Sequence, residues 1–147
     1  VLMFRIIKLL SIVFFLINLS TISFAKDDFF NEAKTKFDLN SLTESKFLLQ
    51  RNIVFNPKDA KSYLYLAKIY NLEENEKEEE KNLNSALLLA PNSEEATYML
   101  ININLKQSNY KKVKDLKKKF LIICKKICEK TSLIDEALKN IEPKNES

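Results

Sequence analysis

The 147-residue sequence contains no glycine, no histidine and no tryptophan, and only three prolines, Pro57, Pro91 and Pro143. Each absence removes a class of structure or chemistry. β-Rich folds place glycine at the left-handed positions of hairpin turns and bulges, so a chain without it is expected to consist of helices joined by short loops. The Gly-rich loops that cradle phosphates are excluded for the same reason. Without histidine the chain lacks the usual general base, the Ser-His-Asp route to an activated nucleophile and the commonest metal ligand. The sequence therefore predicts no enzyme and implies no cofactor. Arginine is scarce as well: Arg5 and Arg51 are the only two among 24 basic residues, leaving 22 lysines. Together with many Asn and Ile residues this fits the codon bias of an AT-rich genome, so the lysine excess loses much of its value as a nucleic-acid signal. A first residue of Val fits a GTG start codon, with Met3 as the alternative start, and either points to a bacterium.

Residues 1–25 divide into the three parts of an export signal. Arg5 and Lys8 give a positive start, and an apolar stretch runs from Leu9 to Leu19, interrupted by Ser11 and Asn18. That stretch is shorter than the roughly 20 residues needed to cross a hydrocarbon core. Ser23-Phe24-Ala25 then ends it in small-x-small form, ahead of Lys26-Asp27-Asp28. Cleavage after Ala25 is expected, giving a periplasmic or secreted protein. The alternative is an uncleaved N-terminal anchor, lengthened by Leu2, Phe4, Ile6 and Ile7, in which case the chain meets the membrane. Export itself disfavours nucleic acid as a partner.

Pro57 and Pro91 mark out a period of about 34 residues. Between them Tyr63, Leu66, Ala67 and Tyr70 follow the i, i+3, i+4, i+7 spacing of one helical face, and Leu83, Ala86, Leu87 and Ala90 repeat it on a second helix. The small residues Ala67 and Ala86 let two backbones approach while the tyrosines interleave as knobs. Glu73-Glu74-Asn75-Glu76 forms a polar connection, and Asn92-Ser93 offers an N-cap to the next helix. The segment Tyr63-Leu64-Tyr65-Leu66-Ala67-Lys68-Ile69-Tyr70 resembles the W-x2-L-G-x2-Y signature of the tetratricopeptide (TPR) family, with Tyr for Trp and Ala for Gly. Leu83, Ala86 and Pro91 follow at the family's later positions. Glu79 departs from the pattern, standing where the family usually has a small Ala between the two helices. Downstream, Leu100 and the turn Lys106-Gln107-Ser108-Asn109-Tyr110 match, while Thr97, Ile101 and Asn104 replace an aromatic, a small and an aromatic residue. Tyr98 to Leu105 alternates like a strand, but the register from Pro91 requires a helix. Upstream, Ser45 to Pro57 resembles the second helix of a preceding unit, whose first helix would lie within Asp27 to Phe37 with almost none of the signature.

The resemblance implies an all-α protein, a short α-solenoid of about two to three TPR-like hairpins with a C-terminal capping helix. The expected division is a signal peptide at 1–25, a degenerate helical unit at 26–58, hairpins at 59–123, a turn and capping helix at 124–141, and a disordered tail at 142–147. Since units of this kind bury their apolar faces only against neighbours, two to three with atypical ends is a coherent set. In this family first helices line a concave surface, which implies a groove for a peptide or helix of another protein at Lys61, Leu64, Lys68 and Leu72, continued by Glu95, Tyr98, Asn102 and Leu105. A carboxylate clamp is not reproduced, because Leu64 stands where it would need Lys. The alternative is that Leu64, Leu72 and Tyr98 pack against adjacent helices.

Two charge runs remain. Glu73 to Glu80 lacks the Asp/Asn alternation and central Gly of a calcium loop and reads as a solvated turn and helix start. Lys106 to Lys130 holds ten lysines against Asp115 and Glu129. It reads either as a solvated face behind the apolar stripe Val113, Leu116, Phe120 and Ile123, or as a basic helix meeting an acidic surface. Cys124 and Cys128, an even pair in an exported chain, are expected to form a structural disulfide. Four-residue spacing on an unbroken helix leaves Cβ atoms about 5–6 Å apart, more than a relaxed bond allows, so a helix break nearby is predicted. Thr131-Ser132 with Asp135 and Glu136 would then start the capping helix, burying Leu133, Ala137 and Ile141. Two free thiols on one helix is the alternative, and a thiol-disulfide protein using Cys124 and Cys128 is the second functional reading beside a non-enzymatic adaptor.

Overall fold

The structure is a computed structural model, and it describes residues 29–140. The export signal expected at 1–25, Ile141 and the tail at 142–147 lie outside the described residues. Seven helices follow one another among the described residues, with no strand: α1 (Phe29–Asp38), α2 (Leu42–Phe55), α3 (Ala60–Leu72), α4 (Glu76–Leu89), α5 (Glu94–Lys106), α6 (Tyr110–Ile123) and α7 (Lys130–Lys139). Neighbours pair as hairpins, α1 with α2, α3 with α4 and α5 with α6, and each hairpin stacks on the next. The fold is all-α, a solenoid of three TPR-like hairpins closed by α7.

The period set by the two prolines runs through every unit once the helices are aligned. Ala33, Ala67 and Ile101, each one period from the next, are fully buried on the three first helices. Facing them at the same period on the second helices stand Ser45, Glu79 and Val113, all buried. These positions share one register between the two helices of each hairpin. Ser45 is small and donates its hydroxyl to the Ala33 carbonyl oxygen at 2.8 Å. Val113 is apolar. Glu79 is neither, yet it is only 2% exposed. It departs from the solvated charge run expected at 73–80 because its register position points inward. The side-chain amide of Asn71 donates to both of its carboxylate oxygens at 3.1 Å. Burial pushes the Glu79 carboxyl above the usual carboxylate range, and the Asn71 hydrogen bonds and the Lys106 charge offset part of that.

Two hydrophobic clusters share α3. Leu66 and Ile69 pack towards the first unit with Phe29, Ala33, Leu48 and Leu49. Ala67 faces the other way, into a larger cluster with Leu83, Ala86, Leu100, Ile101, Phe120 and, from α7, Ile134 and Leu138. One helix thus supplies both neighbours, which is how a stacked repeat covers apolar faces that no single hairpin could bury. Helix starts follow the side chains available. Asp59 caps α3, accepting from the Lys61 and Ser62 amides, and Ser93 caps α5 through the Ala96 amide. Asp59 also takes hydrogen bonds from the side chains of Asn52 at 2.9 Å and Ser62 at 2.7 Å, tying α2 to α3. One unit later the same three positions are Ala86, Ser93 and Ala96, so that junction closes on methyl groups instead.

The capping helix differs from expectation in its face. It starts at Lys130, and no side chain caps it. Ile134 and Leu138 are its buried residues, whereas Leu133 is exposed and Ala137 only half-buried. The buried stripe therefore lies one residue further round the helix than a start at Thr131-Ser132 implies, because packing against the last hairpin selects the larger pair.

The hairpin turns show how a glycine-free chain solves the left-handed problem. Asn40, Glu74 and Ser108 have φ of 59°, 56° and 57°, again one period apart. Asn tolerates this region through its short polar side chain, but Glu carries a Cβ penalty of about 1 kcal/mol or more. Glu74→Gly is therefore expected to raise the unfolding free energy by roughly 0.5–1 kcal/mol despite loosening the unfolded chain. Urea denaturation of both proteins checks it, and a destabilised variant would show that Glu74 is held there by contacts of its own.

Candidate functional site, a cleft along the first helices

A cleft of about 790 Å³ opens along the first helices. Its walls come from Phe37 at the end of α1, from Lys68, Asn71 and Leu72 on α3, from Ser93 to Asn102 along one face of α5, and from Lys126, Ile127 and Lys130 at the far end. No residue of α2, α4 or α6 lines it. Of the eight groove positions read from the sequence, Lys68, Leu72, Glu95, Tyr98 and Asn102 border this cleft, while Lys61, Leu64 and Leu105 do not. Leu64 and Leu105 instead pack against the larger core cluster, and the Lys61 ammonium lies over the Phe30 ring at 5.8 Å.

Within the cleft, one wall is charged and orderly. The Lys68 ammonium sits 2.7 Å from a Glu95 carboxylate oxygen and 4.4 Å from the centroid of Tyr65. The Tyr65 ring is held edge-on by Phe30 and Phe37, so the cation and the aromatic platform brace each other. Leu72 is 57% exposed on the same wall. Tyr98 stands opposite, tilted against Phe120 with ring centroids 6.1 Å apart, and the Lys130 ammonium lies 5.9 Å from its ring. Apolar surface with a few fixed polar groups is the general chemistry of a ligand-binding cleft.

The far end had no local signature in the sequence. Helix α6 stops at Ile123, and Cys124 takes an extended conformation as its C-cap, φ −64° and ψ 138°. The predicted break is where the spacing argument put it. Cys124 and Cys128 have Cα atoms 5.3 Å apart with their sulfurs at bonding distance. The turn between them aims its backbone at Glu94, 32 residues earlier: the Lys126 and Ile127 amides donate to one Glu94 oxygen at 2.9 and 3.1 Å. These hydrogen bonds, with the Lys125 amide adding to them, hold the Glu94 carboxyl below the usual carboxylate range. The cleft's end wall is thus a turn pinned to the first turn of α5. Lys117 on α6 pairs with Asp135 on α7 and braces it from behind. Among the described residues no group of three His, Cys, Asp or Glu side chains is placed to hold a metal, and no helix is long and apolar enough to cross a membrane.

The pinning carries a pH consequence. A carboxylate with a depressed folded pKa stabilises the folded arrangement above its unfolded pKa, and that contribution is lost as pH falls through the folded value. Glu94→Gln should quicken amide exchange at Lys126 and Ile127 by on the order of ten-fold, corrected for intrinsic rates, while α5 keeps its protection. The unsubstituted chain should show the same local loosening in acid, below the usual carboxylate range. Equal protection in the two proteins at neutral pH would mean that the turn holds itself.

No protein-family model and no curated protein matches the sequence, so its likeness is to solved structures. The first TPR domain of Spaghetti (RPAP3), solved bound to the HSP90 peptide SRMEEVD, is 12% identical with a TM-score of 0.68, over 76% of this chain and 89% of that one. The Sgt2 TPR domain from Aspergillus fumigatus is 13% identical with a TM-score of 0.65, over 79% of this chain and 78% of its own. The type III secretion translocator chaperone SycD of Yersinia enterocolitica gives 9% and 0.63, over 79% and 80%. What the chain shares with these proteins, and what its three stacked hairpins display, is the tetratricopeptide-type fold.

Proposed function

We propose that the chain is a non-enzymatic adaptor that holds an extended peptide or short helix of a partner protein in the cleft, and that it does so outside the cytoplasm. The observation that carries the reading is the cleft itself. Three first helices and a separately anchored turn converge on one 790 Å³ trough, with Leu72 and Tyr98 presenting apolar surface and Lys68, Glu95 and Asn102 offering polar groups along it. Solved structures of the same fold include one with a bound peptide, which supports a protein partner here. The envelope location is supported by the Arg5/Lys8 start, the apolar run and the Ser23-Phe24-Ala25 ending. An oxidising compartment also suits a Cys124–Cys128 bond. In this reading the bond is structural: it fixes the turn whose amides grip Glu94 and so keeps the end of the cleft closed.

The test uses peptides selected from a random library on the immobilised protein. Leu72→Glu and Tyr98→Glu each place a charge on apolar surface of the cleft, at positions that are not fully buried. Each is expected to weaken the selected peptide by at least about ten-fold with helicity unchanged. Leu88→Glu, on a helix that lines no part of the cleft, should bind as before. If both cleft variants retain full affinity, the partner docks elsewhere.

A further inference from the structure

On the face away from the cleft, the second helices carry an apolar feature with the same period as the fold. Val54, Leu88 and Ile122 are each one period from the next, near the C-terminal ends of α2, α4 and α6. They are 77%, 82% and 84% exposed. Equivalent positions of stacked repeats stand in a column, so an exposed aliphatic side chain projects at the same place from each unit. Beside them in the sequence Phe55, Leu89 and Leu121 are exposed as well, Phe55 with its ring stacked on Phe29 at 5.7 Å between centroids. None of the three lines the cleft.

The charge around the column is one-sided. Within four residues of Val54, Leu88 or Ile122 in the sequence lie six cationic residues, Arg51, Lys58, Lys118, Lys119, Lys125 and Lys126, and no acidic one, although the chain has 20 acidic residues. Of the six, Lys118 pairs with Asp115 at 4.0 Å and the Arg51 guanidinium lies over the Phe29 ring at 4.4 Å. Lys126 also borders the cleft; Lys58 and Lys125 are exposed and make no ion pair among the described residues. A second copy of the chain would set cation against cation and is disfavoured by that repulsion. A soluble acidic protein would match the charge, yet side chains that are 77–84% exposed project outward from the surface and line no concave site of the kind that seats the anchors of a protein interface. Apolar chains projecting from a basic rim suit a surface that is anionic outside and apolar just beneath.

From this we infer that the outer face of the second helices docks on an anionic lipid bilayer, with Val54, Leu88 and Ile122 entering the interface and Lys58, Lys119 and Lys125 meeting the headgroups. The cleft then faces away from the bilayer, free to take its partner. The inference is independent of what the cleft binds.

The experiment measures amide exchange of the full chain on vesicles of equal parts phosphatidylglycerol and phosphatidylcholine, on phosphatidylcholine alone, and with soluble polyglutamate. The readout is local, so the apolar run Leu9 to Leu19 does not decide it. Exchange should slow by on the order of ten-fold in the last turns of α2, α4 and α6 on the anionic vesicles and not on the neutral ones. In the triple variant Val54→Ser/Leu88→Ser/Ile122→Ser, whose three sites are exposed and outside the core, that slowing should vanish while the melting temperature holds. In Lys58→Glu/Lys125→Glu it should shrink and become insensitive to added salt. Slowing that survives the triple substitution, that appears equally on neutral vesicles, or that is absent altogether would overturn the inference. Equal slowing with polyglutamate would assign the face to an acidic polypeptide and overturn it as well.

Discussion

Two helices of a hairpin approach closely only where the side chains between them are small, apolar or fully paired, and this chain meets that demand three times in three ways. Ala33 with Ser45, Ala67 with Glu79 and Ile101 with Val113 occupy the same register in successive units. Everything else about the solenoid depends on those contacts. They set the approach of each pair, which sets the angle at which the next pair can stack, which in turn leaves the first helices splayed along a trough and the second helices on the opposite side. Glu79 is the costly member of the set, because ionising a carboxyl there works against burial. Asn71 makes it tolerable by presenting its amide to both oxygens, and Asn71 in turn borders the cleft. A packing residue and a cleft residue are therefore coupled through one pair of hydrogen bonds.

Much of the fold was legible because it is written in spacing. Pro57, Pro91, the tyrosine-rich segment after residue 63 and the Lys106–Tyr110 turn placed five helices directly, and the register forced Tyr98 to Leu105 into a helix against its strand-like alternation. The first unit was harder to read, since Phe29 and Phe30 do not resemble the signature. Ala33, a full period before Ala67, is the one residue that carries the register there, and it was not singled out from the sequence. Turn residues at Asn40, Glu74 and Ser108 carried the same period, but without glycine they did not announce a left-handed conformation. Glu79 was hidden inside a charge run, where composition says solvent and register says core. For α7 the cap offered by Thr131-Ser132 outweighed the face that tertiary packing selects, Ile134 and Leu138.

The cleft was half legible for a related reason. A stripe drawn along one helix in isolation includes Leu64 and Leu105, which the stacking of neighbours turns towards the core. Lys68, Leu72, Glu95, Tyr98 and Asn102 lie on the part of that stripe that the neighbours leave open. Lys126, Ile127 and Lys130 could not be found locally, because their place at the cleft's end goes with the contact between Glu94 and a turn 32 residues away. The cysteines gave the break in the helix but not its purpose. The grip of three amides on one carboxylate supplies it, since a turn held at both ends is rigid enough to serve as a wall. The three exposed aliphatics of the outer face were visible in the sequence only as members of apolar triplets, and exposure separates them from the half-buried Ile53, Leu87 and Ile123.

The central claim is that partner binding belongs to the trough along the first helices. Backbone amide shifts, recorded by NMR as a selected peptide is titrated into the full chain, test it most directly. The account predicts shifts concentrated at Lys68 to Leu72, Glu94 to Asn102 and Lys126 to Lys130, with the last turns of α2, α4 and α6 unmoved. Shifts concentrated instead around Val54, Leu88 and Ile122, with the trough silent, would contradict it.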